Sequence, residues 1–218
     1  MKRLIDIVLS LIAILILTPL LIPICIILLL TGENKVFYLQ ERVGFKNKKF
    51  KIIKFATMLS DSPNMGTGSL TTRNDPRVLP FGKFLRKSKI NELPQIFNIL
   101  IGNMSIVGPR PQMEVDFKKY SVTIQNEIYD VKPGLTGIGS IIFRDEENLL
   151  SSIKDQNPHV YYEEKIAPYK GEVEVWYKEN ISIILDLKLI FITIWVVLFP
   201  KSNILSSLIK GMPKNKII

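Results

Sequence analysis

Asn91 and Glu92 lie side by side between arginines suited to gripping a phosphorylated ligand. Arg86 stands five residues before Asn91, and Arg110 is held between Pro109 and Pro111. A guanidinium meets phosphate oxygens as a planar fork, so both arginines suit a diphosphate. The competing role for each is a surface ion pair. Lys54 and Arg77 fit the same phosphate work, or equally a solvated basic face. Glu92 can act as a general base if its surroundings tune its pKa, or as a helix-start carboxylate facing the macrodipole. The acidic run Asp145, Glu146 and Glu147 either reaches these residues or forms a solvated loop. His159, the lone histidine, reads as a surface loop residue after Asn157-Pro158. Cys25, the one cysteine, leaves no intramolecular disulfide and no cysteine zinc site, which fits a reducing compartment.

Composition narrows the partners. The 218 residues carry a net charge of +9, which favours a phosphorylated substrate or an anionic membrane face. Nucleic acid is disfavoured, because the basic residues lack interleaved aromatics. The hydrophobic fraction of 47% is concentrated in Leu4–Leu30 and in Ile181–Phe199, with a segment of soluble composition between.

The first apolar stretch must anchor whatever site the rest builds. Its uncharged run from Ile7 to Gly32 is longer than a signal-peptide core and ends without a small-residue cleavage pattern. The segment is therefore expected to stay on the chain. It is long enough to cross a bilayer, but Pro19 and Pro23 interrupt its middle. Basic residues also flank both ends: Lys2 and Arg3 before it, Lys35, Arg42 and Lys46 after it. One crossing cannot place both flanks in the cytoplasm. The preferred expectation is a helix-break-helix that dips into the membrane and returns; a plain spanning helix is the alternative. Ile181–Phe199 is interrupted by Asp186 and Lys188 and reads as an interfacial or core helix ended by Pro200. The tail from Lys201 to Ile218 reads as membrane-surface contact or disorder.

Between these segments, Val36–Gln40 and Phe50–Phe55 suggest a hairpin around Gly44–Lys48. Asp61–Asp75 looks like a mobile loop. Asn91–Leu100 shows a helical period at Leu93, Ile96, Phe97 and Leu100, stopped by Gly102. Tyr161–Lys178 is expected to be a charged, exposed helix broken near Pro168. The fold class is α/β, mostly helical with a small hairpin. Residues 1–34 form the membrane helix-break-helix, 35–199 the catalytic domain and 200–218 a basic tail.

Several short motifs keep a distinctive order. They are Gln40-Glu41-Arg42-Val43-Gly44, Lys54-Phe55-Ala56-Thr57-Met58, Asp75-Pro76-Arg77, Gly82-Lys83-Phe84-Leu85-Arg86 and Asn91-Glu92-Leu93-Pro94-Gln95. Val107-Gly108-Pro109-Arg110-Pro111, Pro133-Gly134-Leu135-Thr136-Gly137 and Asp186-Leu187-Lys188 follow. Together they resemble the bacterial sugar transferase family, the monotopic phosphoglycosyl transferases, from Lys2 to about Phe199. The resemblance implies a re-entrant helix packed on a small catalytic domain at the cytoplasmic face of the bacterial inner membrane. It implies a nucleotide-diphosphate sugar as donor, a polyprenyl lipid as acceptor, and magnesium as cofactor, with Glu92 the carboxylate left to hold it.

In that family an Asp-Glu pair starts the chemistry, the Asp attacking the sugar-side phosphate. Here Asn91 takes the first place, and a carboxamide is far poorer as nucleophile or metal ligand. Ala56 and Asn103 depart from the pattern as well, where a basic and an acidic residue are usual. The sequence therefore favours direct glycosyl transfer, with Glu92 as base, Asn91 as a hydrogen-bonding partner and a polyprenyl diphosphate sugar as acceptor. Phosphoglycosyl transfer to polyprenyl phosphate is the second reading, and an inactive membrane scaffold for partner transferases the third.

Overall fold

The computed structural model describes residues 1–65, 71, 74–153, 156–200 and 202–214. Part of the expected 61–75 loop therefore lies outside the described residues.

Helix α1 runs from Lys2 to Leu30 as one helix with Pro19 and Pro23 inside it. The expected separation into two helices is not seen: the prolines sit within a single element. Each removes a backbone donor, while the Thr18 hydroxyl turns back onto the Ile14 carbonyl at 2.7 Å, a contact that tends to bend a helix. Of the described helices, α1 is long and apolar enough to cross a membrane.

Both ends of α1 are tied to the rest of the chain. At its start, Lys2 pairs with Asp186 at 2.5 Å, and Arg3 donates to the Leu100 carbonyl at 2.8 Å. The buried Asp6 accepts from the Ser105 hydroxyl and the Ile106 N–H. At its end, Ile24 and Leu28 pack with Phe55 and Leu85. The middle, including Leu11, Leu15, Ile16 and Leu20, stays exposed.

Strands β1 (Phe37–Val43) and β2 (Lys49–Phe55) form the expected antiparallel hairpin, with Arg42 opposite Phe50 and Tyr38 opposite Lys54. After a turn at Ser62–Asn64 come α2 (Pro80–Lys87), the short 3-10 turn Ile90–Glu92 and α3 (Gln95–Ile101). Gly102 closes α3 in the left-handed region at φ 99°, as the sequence suggests. Strand β3 (Ser105–Val107) later pairs in parallel with β4 (Gly134–Thr136). Between them lie α4 (Glu114–Phe117) and α5 (Val122–Glu127). The remaining helices are α6 (Ile138–Ile142), α7 (Glu146–Ser152), α8 (Pro158–Tyr161), α9 (Ala167–Glu179), α10 (Ile183–Leu198) and α11 (Ile204–Leu208).

Two expectations change. The 161–178 segment is a π turn, Tyr162–Ile166, followed by α9, and it belongs to the core. Tyr162, Ile166, Val173 and Tyr177 are almost wholly buried, because charged residues on one face disguise an apolar stripe on the other. The tail is also partly docked: Ile209 is buried in the core, and the Pro213 carbonyl accepts from Tyr169 at 3.1 Å. Helix α10 fits the core reading, with Leu189 and Ile192 in the core, while Phe191, Ile194 and Val197 are exposed. Cutting either buried residue to Ala would cost about 2–5 kcal/mol.

Candidate active site

Three backbone devices bring the chemistry together. Strand alternation puts Arg42 and Lys54 on one face of the hairpin, since Gln40 pairs with Ile52 between them. The turn at 90–92 follows Lys89, a left-handed residue at φ 59°, and buries Asn91 beside Glu92. The loop after β3 carries Arg110. Gly108 and Gly134 touch backbone to backbone, so a Cβ at either would collide with main-chain atoms. This close approach explains the glycines in the two proline-rich motifs.

At the centre is Glu92, its side chain only 14% exposed. Arg110 binds it as a fork, Nη2 to Oε1 at 2.7 Å and Nη1 to Oε2 at 3.2 Å. Lys54 Nζ stands 3.7 Å from Oε1. Burial pushes the Glu92 pKa up, but the charges of Arg110 and Lys54 outweigh it, and the carboxyl is held well below its usual range. Lys54 is pulled down to about 7, first by burial and then by Arg42, Arg110 and Arg86, against the pull of Glu92.

Arg42, expected only as a basic residue flanking the membrane segment, also belongs to this group. It donates to the Gln40 side chain at 2.5 Å and to the Pro111 carbonyl at 3.3 Å, while its buried Nε has no partner. The hairpin's period of two, which aligns it with Lys54, is the signal that could have found it. Glu174 was missed too: it accepts the Arg110 N–H at 3.1 Å from α9, in a segment read as exposed.

The other expected residues divide. Arg86 lies near enough to depress Lys54 and pairs with Glu147 at 3.7 Å, while Glu146 pairs with Lys170 at 2.6 Å. The acidic run thus reaches the site through Glu146 and Glu147. Arg77 is buried in a fork with Asp75 and donates to the Ser62 and Met65 carbonyls, so it braces that turn. His159 is half-buried on α8, with Nδ1 3.4 Å from Lys119, rather than loose in a surface loop.

A divalent cation needs hard, preferably charged, oxygen ligands. Among the described residues no three His, Cys, Asp or Glu side chains converge to hold a metal. Both Glu92 oxygens are engaged by Arg110, and the neighbouring unpartnered oxygen, Asn91 Oδ1, carries no charge. The donors as they stand do not fit a resident magnesium ion.

The model of the family described as bacterial sugar transferase matches residues 1–200. The chain belongs to that family. It is similar to a UDP-glucose:undecaprenyl-phosphate glucose-1-phosphate transferase of Klebsiella pneumoniae, 36% identical over 89% of this chain and 39% of the relative. It is 32% identical to a UDP-N-acetylgalactosamine-undecaprenyl-phosphate N-acetylgalactosaminephosphotransferase of Aeromonas hydrophila, over 90% of this chain and 43% of that protein. A putative undecaprenyl-phosphate N-acetylgalactosaminyl 1-phosphate transferase of Bacillus subtilis is 40% identical, over 62% of this chain and 70% of its own length. The chain thus spans about two fifths of the length of the first two relatives, and more of the third.

Proposed function

We propose that this sugar transferase moves a sugar-1-phosphate unit from a nucleotide-diphosphate sugar onto a polyprenyl phosphate at a membrane surface. The observation that carries the reading is the gathering of Lys54, Arg42 and Arg110 around Glu92, the carboxylate that both Lys54 and Arg110 contact. Buried charge needs compensation, and a diphosphate supplies it. The names of the relatives, sugar-phosphate transfer to undecaprenyl phosphate, support the same class.

Asn91 offers no carboxylate nucleophile, so the acceptor itself attacks. An oxygen of polyprenyl phosphate forms a bond to the phosphorus beside the sugar. The bond from that phosphorus to the bridging oxygen breaks, and the nucleoside monophosphate leaves with the electron pair. The arginines hold the equatorial oxygens, and Lys54 neutralises the charge growing on the leaving phosphate. Direct glycosyl transfer, favoured by the sequence, loses ground here: a Glu92 held ionised by two cations is a weak acceptor for a hydroxyl proton.

Helix α1 supports a place at the membrane. Both of its ends bind one domain while its apolar middle is bare, which supports a re-entrant anchor. The acceptor's lipid lies in that membrane, with the donor and both flanks of α1 on its cytoplasmic side.

The test is to incubate detergent-solubilised protein with UDP-glucose or UDP-N-acetylgalactosamine and undecaprenyl phosphate, then identify the released nucleotide. Uridine monophosphate is expected. Uridine diphosphate would reinstate direct glycosyl transfer, and no turnover with any nucleotide sugar would favour the scaffold.

A further inference from the structure

Glu174 lies on the second turn of α9 with only 1% of its surface exposed. Its Oε1 accepts the Arg110 N–H at 3.1 Å, and the carboxylate packs against Gly139 at the start of α6, close enough for that main chain to favour its charged form. A Cβ on Gly139 would collide with Oε1, so a glycine is what lets the carboxylate so close. The other side of the same residue is fixed as well: the Tyr129 hydroxyl donates to the Arg110 carbonyl at 2.8 Å. Arg110 is thus pinned at its N–H and its C=O by two side chains from distant parts of the chain. The second oxygen of Glu174, Oε2, is buried with no partner. Burial of a half-satisfied carboxylate is unfavourable, and core packing alone gives no reason for it.

We propose that Glu174 is a positioning residue: by clasping the main chains of Arg110 and Gly139, it fixes the Arg110 guanidinium where it meets the substrate's phosphate. The fork of Arg110 on Glu92 tolerates little displacement, and the restricted dihedrals of Pro109 and Pro111 transmit the anchor to the side chain. Lys170, one turn earlier on α9, bonds to Glu146 and leaves Oε2 unmatched. This functional role rests on the phosphate-transfer reading; the clasp itself does not.

The experiment has two arms. In the first, hydrogen exchange is followed by mass spectrometry on the full chain in detergent. Glu174→Ala should speed exchange in the peptides holding Arg110 and Gly139, while Glu174→Gln, which keeps the accepting oxygen, should leave them near wild type. In the second, uridine diphosphate affinity is measured in a double-mutant cycle with Arg110→Ala. Glu174→Ala alone should weaken binding roughly fivefold, the size of one ordinary hydrogen bond, Glu174→Gln should restore it, and the loss should vanish in the Arg110→Ala background. Unchanged exchange at Arg110, or losses that simply add, would overturn the proposal. Should Glu174→Ala fail to fold, Glu174→Asp, one methylene shorter, carries both arms. If the wild type binds no uridine diphosphate, the phosphate-transfer reading fails, while the exchange arm still decides the clasp.

Discussion

Arg110 holds both oxygens of Glu92 in one fork, yet a third of the Arg110 side chain, 33%, remains exposed. The pair therefore sits at the edge of the buried group, with carboxylate inside and guanidinium at the opening. Such a geometry lets one arginine hold the carboxylate and still offer donor groups to an incoming phosphate.

Removing Arg110 should then weaken donor binding more than folding. Loss of a charge-assisted contact costs on the order of 1.5–3 kcal/mol. Arg110→Ala should therefore lose roughly ten- to a hundredfold in UDP-glucose affinity by calorimetry, with a cooperative melt retained. Arg110→Lys should recover little, because an ammonium cannot form the fork. A folded Arg110→Ala protein with unchanged affinity would take this residue out of the site.

Lys54 gives the site a pH signature. Its pKa of about 7 lies below the ordinary lysine value, so above pH 7 the unfolded chain holds the extra proton. Stability should rise with pH between about 7 and 10. Donor affinity should move the other way, falling as the ammonium is lost above pH 7. Melting temperature and UDP-glucose affinity across that range, compared with Lys54→Met, separate the two: the substitution should flatten both curves. Parallel trends in the wild type would contradict the assignment.

The two ends of α1 should face the same side of the membrane. Lys2 with Asp186, and Leu28 with Phe55, tie them to one domain. A helix of its 29 residues is about 43 Å long if straight, enough to cross a hydrocarbon core of about 30 Å. Cysteines placed near residues 2 and 35 in a Cys25-free background should be equally shielded from an impermeant reagent outside sealed cells. Labelling at one end alone would mean that the helix spans.

What was legible in the sequence follows from how local each signal is. The hairpin, the Gly102 stop and α10 rest on short-range patterns of β-branched residues, a left-handed cap and an apolar period, and these survived folding. Arg110, Glu92 and Lys54 were found by chemistry in ordered motifs, and the structure joins them. Arg42 and Glu174 escaped because their roles depend on contacts made across the chain: one on hairpin register, the other on a helix whose buried face is masked by Glu172, Glu179 and Lys178. Proline was over-read, since α1 continues through Pro19 and Pro23, each at the cost of one backbone donor.

Asn91 and Glu92 decide the mechanism, and the decision can be forced. Asn91 is 5% exposed and its Oδ1 lacks a partner, so it can neither attack phosphorus as a carboxylate nor bind a divalent cation strongly. The unmodified protein should therefore bind uridine diphosphate equally with magnesium or with chelator, and should yield no phospho-sugar adduct when denatured after exposure to donor. Glu92→Gln should reduce turnover sharply while leaving the fold intact, because Lys54 and Arg110 lose the charge that holds them. Asn91→Asp places a second carboxylate beside Glu92, and adjacent carboxylates raise one another's pKa. That variant should lose stability as pH rises above the ordinary carboxylate range of about 4, gain a magnesium response in nucleotide binding, and accumulate a phospho-aspartyl sugar visible by mass spectrometry. An adduct on any carboxylate of the unmodified chain would overturn direct attack by the acceptor and establish a covalent route.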